Sequence, residues 1–259
     1  MNHQCGRVKR IVRWGVESER LPADRWEALR AVRGLSAGRT VAPEPEPVTP
    51  VTEEHFRAAL PHVRPAVGAI LGLMMLTGMR PGEACRVRPC DIDTTGAVWV
   101  YRPPQHKTKY RGKARAVPIG ERAKAILRRF TPADPTDFYF SPARTAAEQL
   151  AERTAKRRTP LYPSHARHNA KRRKQTPKRR PGRAYTTHGL AVAVTRACAK
   201  VAVPPWHPNQ IRHTHATEVR RRFGLEAAQV VPGHERADVT QVYAEKNLAL
   251  AAKVAAEIE

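Results

Sequence analysis

Apolar residues recur along this chain mostly at helical spacing, and only briefly in alternation. Cys5, Val8, Ile11, Val12 and Val16 make one helical stripe, and Trp26, Leu29 and Val32 a second, opened by Pro22-Ala23-Asp24 and closed by Gly34. Residues 36–51, with Pro-Glu-Pro-Glu-Pro at 43–47, read as a stiff polar linker. Thr52 before Glu53 and Glu54 is a helix start. Ala66 to Met79 is almost wholly apolar and predicts a helix ending at the Gly78–Pro81 turn, followed by a short helix over 82–87. Segments 98–101 and 114–119 read as strands flanking a polar stretch at 103–113. Further helices are predicted over 121–130 and 143–158, with a short strand at 138–140 between them. Residues 165–183 carry nine Lys/Arg and no acid, broken by Pro177, Pro181 and Gly182, and read as a mobile basic loop. Helices resume near 188–201, 208–222, 225–231, 236–245 and 248–258. The expected fold class is α+β, mainly α with one small antiparallel sheet.

Charge narrows the class of partner. Lys+Arg number 47 against 23 Asp+Glu, a formal net charge of +24, which points to a polyanion. DNA and RNA fit that charge equally well. No run approaches the ~20 apolar residues of a membrane helix, and Met-Asn-His-Gln-Cys is not a signal-peptide start. Cys5, Cys85, Cys90 and Cys198 show no CxxC, so they read as buried thiols of a reducing cytoplasm. His213 and His215, two apart, would leave a helix on different faces and make poor joint ligands. With no paired metal carboxylates and no nucleotide-binding glycine loop, neither a metal nor a cofactor is expected.

Four segments carry candidate chemistry. In Thr77-Gly78-Met79-Arg80-Pro81-Gly82-Glu83 a rigid turn can aim the Arg80 guanidinium at phosphate oxygens, with Glu83 placed to hold it. The plain alternative is a helix-end arginine. In His207-Pro208-Asn209-Gln210-Ile211-Arg212-His213, Arg212 could meet the same phosphate from a second helix. Arg220, Arg221 and Arg222 further along read as backbone-positioning residues of a DNA-facing helix. His234 precedes Tyr243 by nine residues; by itself Tyr243 would be an ordinary helical tyrosine on an apolar stripe with Val239 and Val242. The stretch Lys107-Thr108-Lys109-Tyr110-Arg111-Gly112-Lys113 lies between the two predicted strands, and its plain reading is a solvated basic turn.

Taken in order, Arg80, Arg212, His234 and Tyr243 in these contexts resemble the tyrosine recombinase (phage integrase) family, over about 52–246. The resemblance implies DNA strand cleavage through a covalent 3′-phosphotyrosine. Arg80 and Arg212 would bind the scissile phosphate, His234 would donate a hydrogen bond to it, and Tyr243 would attack. A phenol with a pKa of about 10 needs cationic neighbours to react near neutral pH. A lysine of a β-hairpin protonates the leaving 5′-oxygen in the family; Lys107 is the choice here, with Lys109 and Lys113 as alternatives and as DNA contacts. Where the family has histidine, sometimes lysine, this chain has Asn209, which can donate a hydrogen bond but carries no proton near neutral pH. That substitution implies slower chemistry. His207 would substitute only if the helix start bent towards the phosphate, and His213 is expected to pack beside the pocket. Lys171, Arg172, Arg173 and Lys174 of the basic segment, with Arg220, are candidate DNA-backbone contacts.

The same resemblance divides the chain into a partial helical core-binding region at 1–35, a linker at 36–51 and a catalytic domain at 52–259. Because 1–35 matches only the last two helices of a DNA clamp, the chain either starts late or belongs to a decaying element. Implied partners are double-stranded DNA at attachment or recombination sites, three further copies in a DNA-dependent homotetramer, and an accessory DNA-bending protein; no membrane is implied. The implied location is the cytoplasm, at the nucleoid. Three rivals stand beside this reading: a type IB topoisomerase, a non-catalytic DNA-binding relic and a basic RNA-binding protein.

Overall fold

The computed structural model describes residues 2–36, 38–41, 43, 48–105, 115–160, 162–172 and 180–230, the last six by backbone alone. The chain divides into two compact units, 1–48 and 49–259.

The first unit is a helical pair, α1 (Asn2–Glu17) and α2 (Ala23–Ala31). The Asn2 side chain closes it, donating to the Leu35 carbonyl and accepting from the Leu35 amide, each at 2.8 Å. Its packing differs from the expected stripe. Val8 and Ile11 are exposed, and the buried position of α1 is Gly15. Leu21 folds back onto that glycine, so close that a Cβ there would lie 2.7 Å from Leu21 Cδ1.

In the second unit, Thr52 caps α3 (Glu53–Ala59) by accepting the His55 amide at 3.2 Å. The expected linker ends earlier than residue 51. The Thr49 carbonyl accepts from Gln210 Nε2 at 2.9 Å, and the Val51 amide donates to Thr214 Oγ1 at 2.9 Å. A 3-10 turn over Leu60–His62 leads into α4 (Pro65–Thr77), whose Ile70, Leu71, Leu73 and Met74 are the centre of the core. After α5 (Pro81–Ala84) come β1 (Ile92–Asp93), β2 (Trp99–Tyr101) and β3 (Val117–Ile119), an antiparallel sheet in the order β1-β2-β3. The register opposes Ile92 to Tyr101 and Tyr101 to Val117, stacking buried side chains on one face.

Then follow α6 (Glu121–Arg128), α7 (Pro142–Ala155), α8 (Pro163–Arg172), α9 (Thr187–Lys200) and α10 (Pro208–Val230), the last kinked at Gly224. Helices α6 and α10 pack on α4, and α9 packs on α3 and α10.

Three expectations are corrected. Residues 138–140 form no strand: Arg144 Nη2 gathers the carbonyls of Phe130, Phe138 and Tyr139, which takes them away from any ladder. The basic loop starts as a helix, α8, because Pro163 suits a first turn and nothing breaks the pattern before Pro177. Its Arg173 and Lys174 lie outside the described residues. Only Cys85 and Cys198 are buried, whereas Cys5 and Cys90 are exposed. The helices expected at 236–245 and 248–258 also lie outside the described residues.

Candidate active site

The site begins where α4 must stop. Thr77 turns its hydroxyl back onto the Leu73 carbonyl at 2.7 Å, and Gly78 takes φ 63°, a left-handed conformation that glycine adopts without strain. Space requires glycine there as well, since a Cβ would lie 2.6 Å from His215 Cδ2. The turn delivers Arg80 to the start of α5. Glu83 anchors it, Oε2 accepting the Arg80 amide at 3.0 Å and Oε1 accepting Nη1 at 2.9 Å. Glu83 is buried, while the Arg80 side chain keeps 27% of its exposure. Arg80 thus stands on the wall of a cleft of about 400 Å³, shared with Arg86, Gln105, Thr186 and Thr187. Cys85 also lines this cleft, but burial pushes its thiol up to about 12, so it is no nucleophile.

Arg212 approaches from α10. It is buried, and Nη1 donates to the Gly78 carbonyl at 2.7 Å. One turn therefore carries Arg80 and receives Arg212. His215, one turn further on, has Nδ1 2.8 Å from the Met75 carbonyl; a carbonyl only accepts, so Nδ1 bears the proton. Its Nε2 is buried with no hydrogen-bond partner among the described residues. Burial holds His215 below its ordinary pKa; the Met75 bond opposes this and Arg212 adds to it. His213 is lowered in the same way, by burial and then by Arg212.

Asn209 sits one turn before Arg212, exposed, with Nδ2 3.4 Å from His213 Nε2. Its backbone amide donates to His207 Nδ1 at 3.2 Å, so the His207 ring caps the start of α10. Arg220 is half-buried, with Nη1 buried and unbonded among the described residues. Arg221 and Arg222 both pair with Glu218, whose carboxyl they hold at about 2, the Arg221 hydrogen bond being the main cause. Lys171 and Arg172 are exposed on α8. Lys107, Lys109, Lys113, His234 and Tyr243 lie outside the described residues.

One residue at this site escaped the sequence reading. Arg115, just before β3, lies with Nε 3.8 Å from Glu83 Oε2 on a side chain only 7% exposed. Burial holds its guanidinium below the ordinary value; Glu83 opposes that shift and Arg80 adds to it. Nothing in the spacing of Glu83 and Arg115 announces the pair, because strand register and the α4–α5 turn bring them together. Among the described residues no group of three His, Cys, Asp or Glu could hold a metal ion. No helix among them is long and apolar enough to cross a membrane.

The profile of the phage integrase family matches residues 66–249, most of the chain. The chain belongs to that family, the tyrosine recombinases. No curated protein sequence matches it. Among solved structures it is similar to an integrase variant of the Tn1549 transposon in complex with a circular intermediate DNA, with a TM-score of 0.60 and 13% identity over 100% of this chain and 78% of that one. A lambda integrase dimer bound to a COC′ core site is similar at a TM-score of 0.59 and 13% identity, over 95% and 73%. At these identities the likeness is one of fold. The chain spans 52% and 57% of the lengths of two XerH site-specific recombinase chains that it also matches, at 19% and 18% identity with TM-scores of 0.47 and 0.50 over 80% and 87% of this chain.

Proposed function

We propose that this protein is a site-specific recombinase that cuts and rejoins double-stranded DNA through a 3′-phosphotyrosine, and that it serves a mobile genetic element. The observation that carries the reading is the α4–α5 turn, where Arg212 donates to the Gly78 carbonyl two residues before Arg80. Two guanidiniums on one turn suit a phosphodiester whose negative charge grows as a fifth oxygen adds. Tyr243, reacting as the phenolate that the neighbouring cations favour, forms the new bond to phosphorus through Oη as the bond to the 5′-oxygen breaks, and that oxygen leaves with a proton from Lys107, Lys109 or Lys113. The ester keeps the bond energy, so the freed 5′-hydroxyl can reverse the step. His234 and Asn209 add hydrogen bonds to the phosphate. Residues 1–35 contribute part of a DNA clamp, and recombination engages a DNA-dependent homotetramer, aided by a DNA-bending protein, at the nucleoid.

Adduct trapping tests this. Nicked suicide duplexes from the ends of the element carrying this sequence would be incubated with the protein and run on a denaturing gel beside Tyr243→Phe. The expected outcome is a slow, protease-sensitive DNA band that the variant loses. DNA binding without any band would support the alternative favoured by Asn209, a relic that binds and never cuts. Plasmid relaxation with no partner site would instead indicate topoisomerase chemistry.

A further inference from the structure

Glu83 is buried between two guanidiniums of different standing. Arg80 meets its Oε1 at 2.9 Å and faces the cleft, with 27% of its side chain exposed. Arg115 lies 3.8 Å from Oε2 and faces the core, 7% exposed, too enclosed to reach a DNA backbone itself. One carboxylate thus serves two cations. Whatever part of its charge Arg115 engages no longer neutralises Arg80, whose own charge is then available to an anion.

The strands fix Arg115 in that place. Val117 and Ile119 of β3 are fully buried, and β3 pairs with β2 through Tyr101 opposite Val117. The Tyr101 hydroxyl in turn donates to the Glu83 carbonyl at 3.3 Å. The sheet therefore grips Glu83 twice, once at its backbone and once at its carboxylate.

We propose that Arg115 is a positioning residue that engages the Glu83 carboxylate from the core side and so keeps the Arg80 guanidinium open to a DNA phosphate. The inference rests on the recombinase reading for the identity of that phosphate. It also ties the cleavage site to the strand that follows 106–114, the stretch containing Lys107.

The test is a suppression experiment on the full chain, with two readouts. One is the single-turnover rate of adduct formation; the other is the rise in melting temperature with added tungstate, a tetrahedral dianion. R115Q should slow adduct formation by about 10- to 100-fold, less than the roughly 100- to 1,000-fold cost of losing a group that itself touches the developing charge, and weaken tungstate binding. Adding E83Q to R115Q removes the carboxylate's claim on Arg80, so the double variant should outperform R115Q on both readouts. Coupling of this sign is what residues acting through one another give. R115K should fall between wild type and R115Q. A double variant no better than R115Q, or an R115Q indistinguishable from wild type, overturns the proposal. If circular dichroism shows R115Q unfolded, R115K with and without E83Q takes its place under the same criteria. Suppression on tungstate without any wild-type adduct would sink the recombinase reading and leave this one standing; an adduct untouched by R115Q would do the reverse. A wild type that neither binds tungstate nor forms adduct overturns both.

Discussion

The turn that carries Arg80 and the helical pair at 2–31 are both rich in arginine and hold it in opposite ways. At the turn, each charged group has a fixed partner: Arg80 and Arg115 have Glu83, and Arg212 has the Gly78 carbonyl. In the helical pair, Arg13 and Arg30 meet Glu17 and Glu27 at the surface, with more than half of each side chain in water. Surface pairs of that kind contribute about 0–1 kcal/mol. Burial therefore makes the difference between an arginine whose direction is set before any ligand arrives and one that adapts to what it meets.

Two glycines expose this contrast most sharply. Gly78→Ala puts a Cβ on a residue at φ 63°, 2.6 Å from His215 Cδ2, between α4 and α10. The left-handed conformation and the contact together should cost about 2–4 kcal/mol, shift Arg212, and lower any adduct yield by at least about 100-fold. Gly15→Ala meets the Leu21 side chain, most closely at its Cδ1 end, which has room to move since the residue is 40% exposed, and it gains helix propensity. Its stability should stay within about 1 kcal/mol of wild type. Urea unfolding of both variants would decide, and equal losses would mean that the α4–α10 contact is no tighter than the helical pair.

Acid should sharpen the comparison. His213 and His215 are buried beside Arg212, and burial holds both below the ordinary histidine value near 6.5. The unfolded chain takes up protons at that ordinary value while the folded chain resists, so their contribution is fully present above about pH 6.5 and declines as the pH falls below it. Melting temperature should therefore drop between about pH 7 and about pH 5. His215→Phe should flatten part of that drop, because phenylalanine has no proton to take up. A slope unchanged in the variant would place the acid sensitivity elsewhere. The helical pair buries no histidine and offers no counterpart.

How far the sequence could be read follows the same division. The α4 helix, its Gly78 stop, the Thr52 cap and the Arg80–Glu83 contact were legible because each depends on residues within a turn or two of each other. The Arg212 bond to Gly78 spans 134 residues, and only the ordered resemblance to a family hinted at it. Arg115 and the pinning of Thr49 and Val51 to α10 were not legible, since each depends on where two distant elements dock. The α1 stripe misled for a related reason. Helical period locates a helix, but Leu21 chose the face, by packing on Gly15 instead of on Val8 and Ile11.

The smallest effect tests the adaptable kind of charge. Arg167, Lys171 and Arg172 stand exposed on α8, and among the described residues Arg167 makes a weak bond to its own helix at 3.5 Å. If they meet DNA, they do so as cations beside phosphates, each releasing about one counterion. Replacing Lys171 and Arg172 together by alanine should therefore lower the slope of log affinity against log salt by up to about 2, equally on all sequences. Adduct formation at saturating DNA should be unchanged, because neither side chain takes part in the hydrogen bonds that hold Arg80 and Arg212. Fluorescence anisotropy across a salt series measures the first quantity and a single-turnover gel the second. A slower adduct with an unchanged salt slope would reverse the assignment, making α8 part of the rigid site instead of its adaptable surroundings.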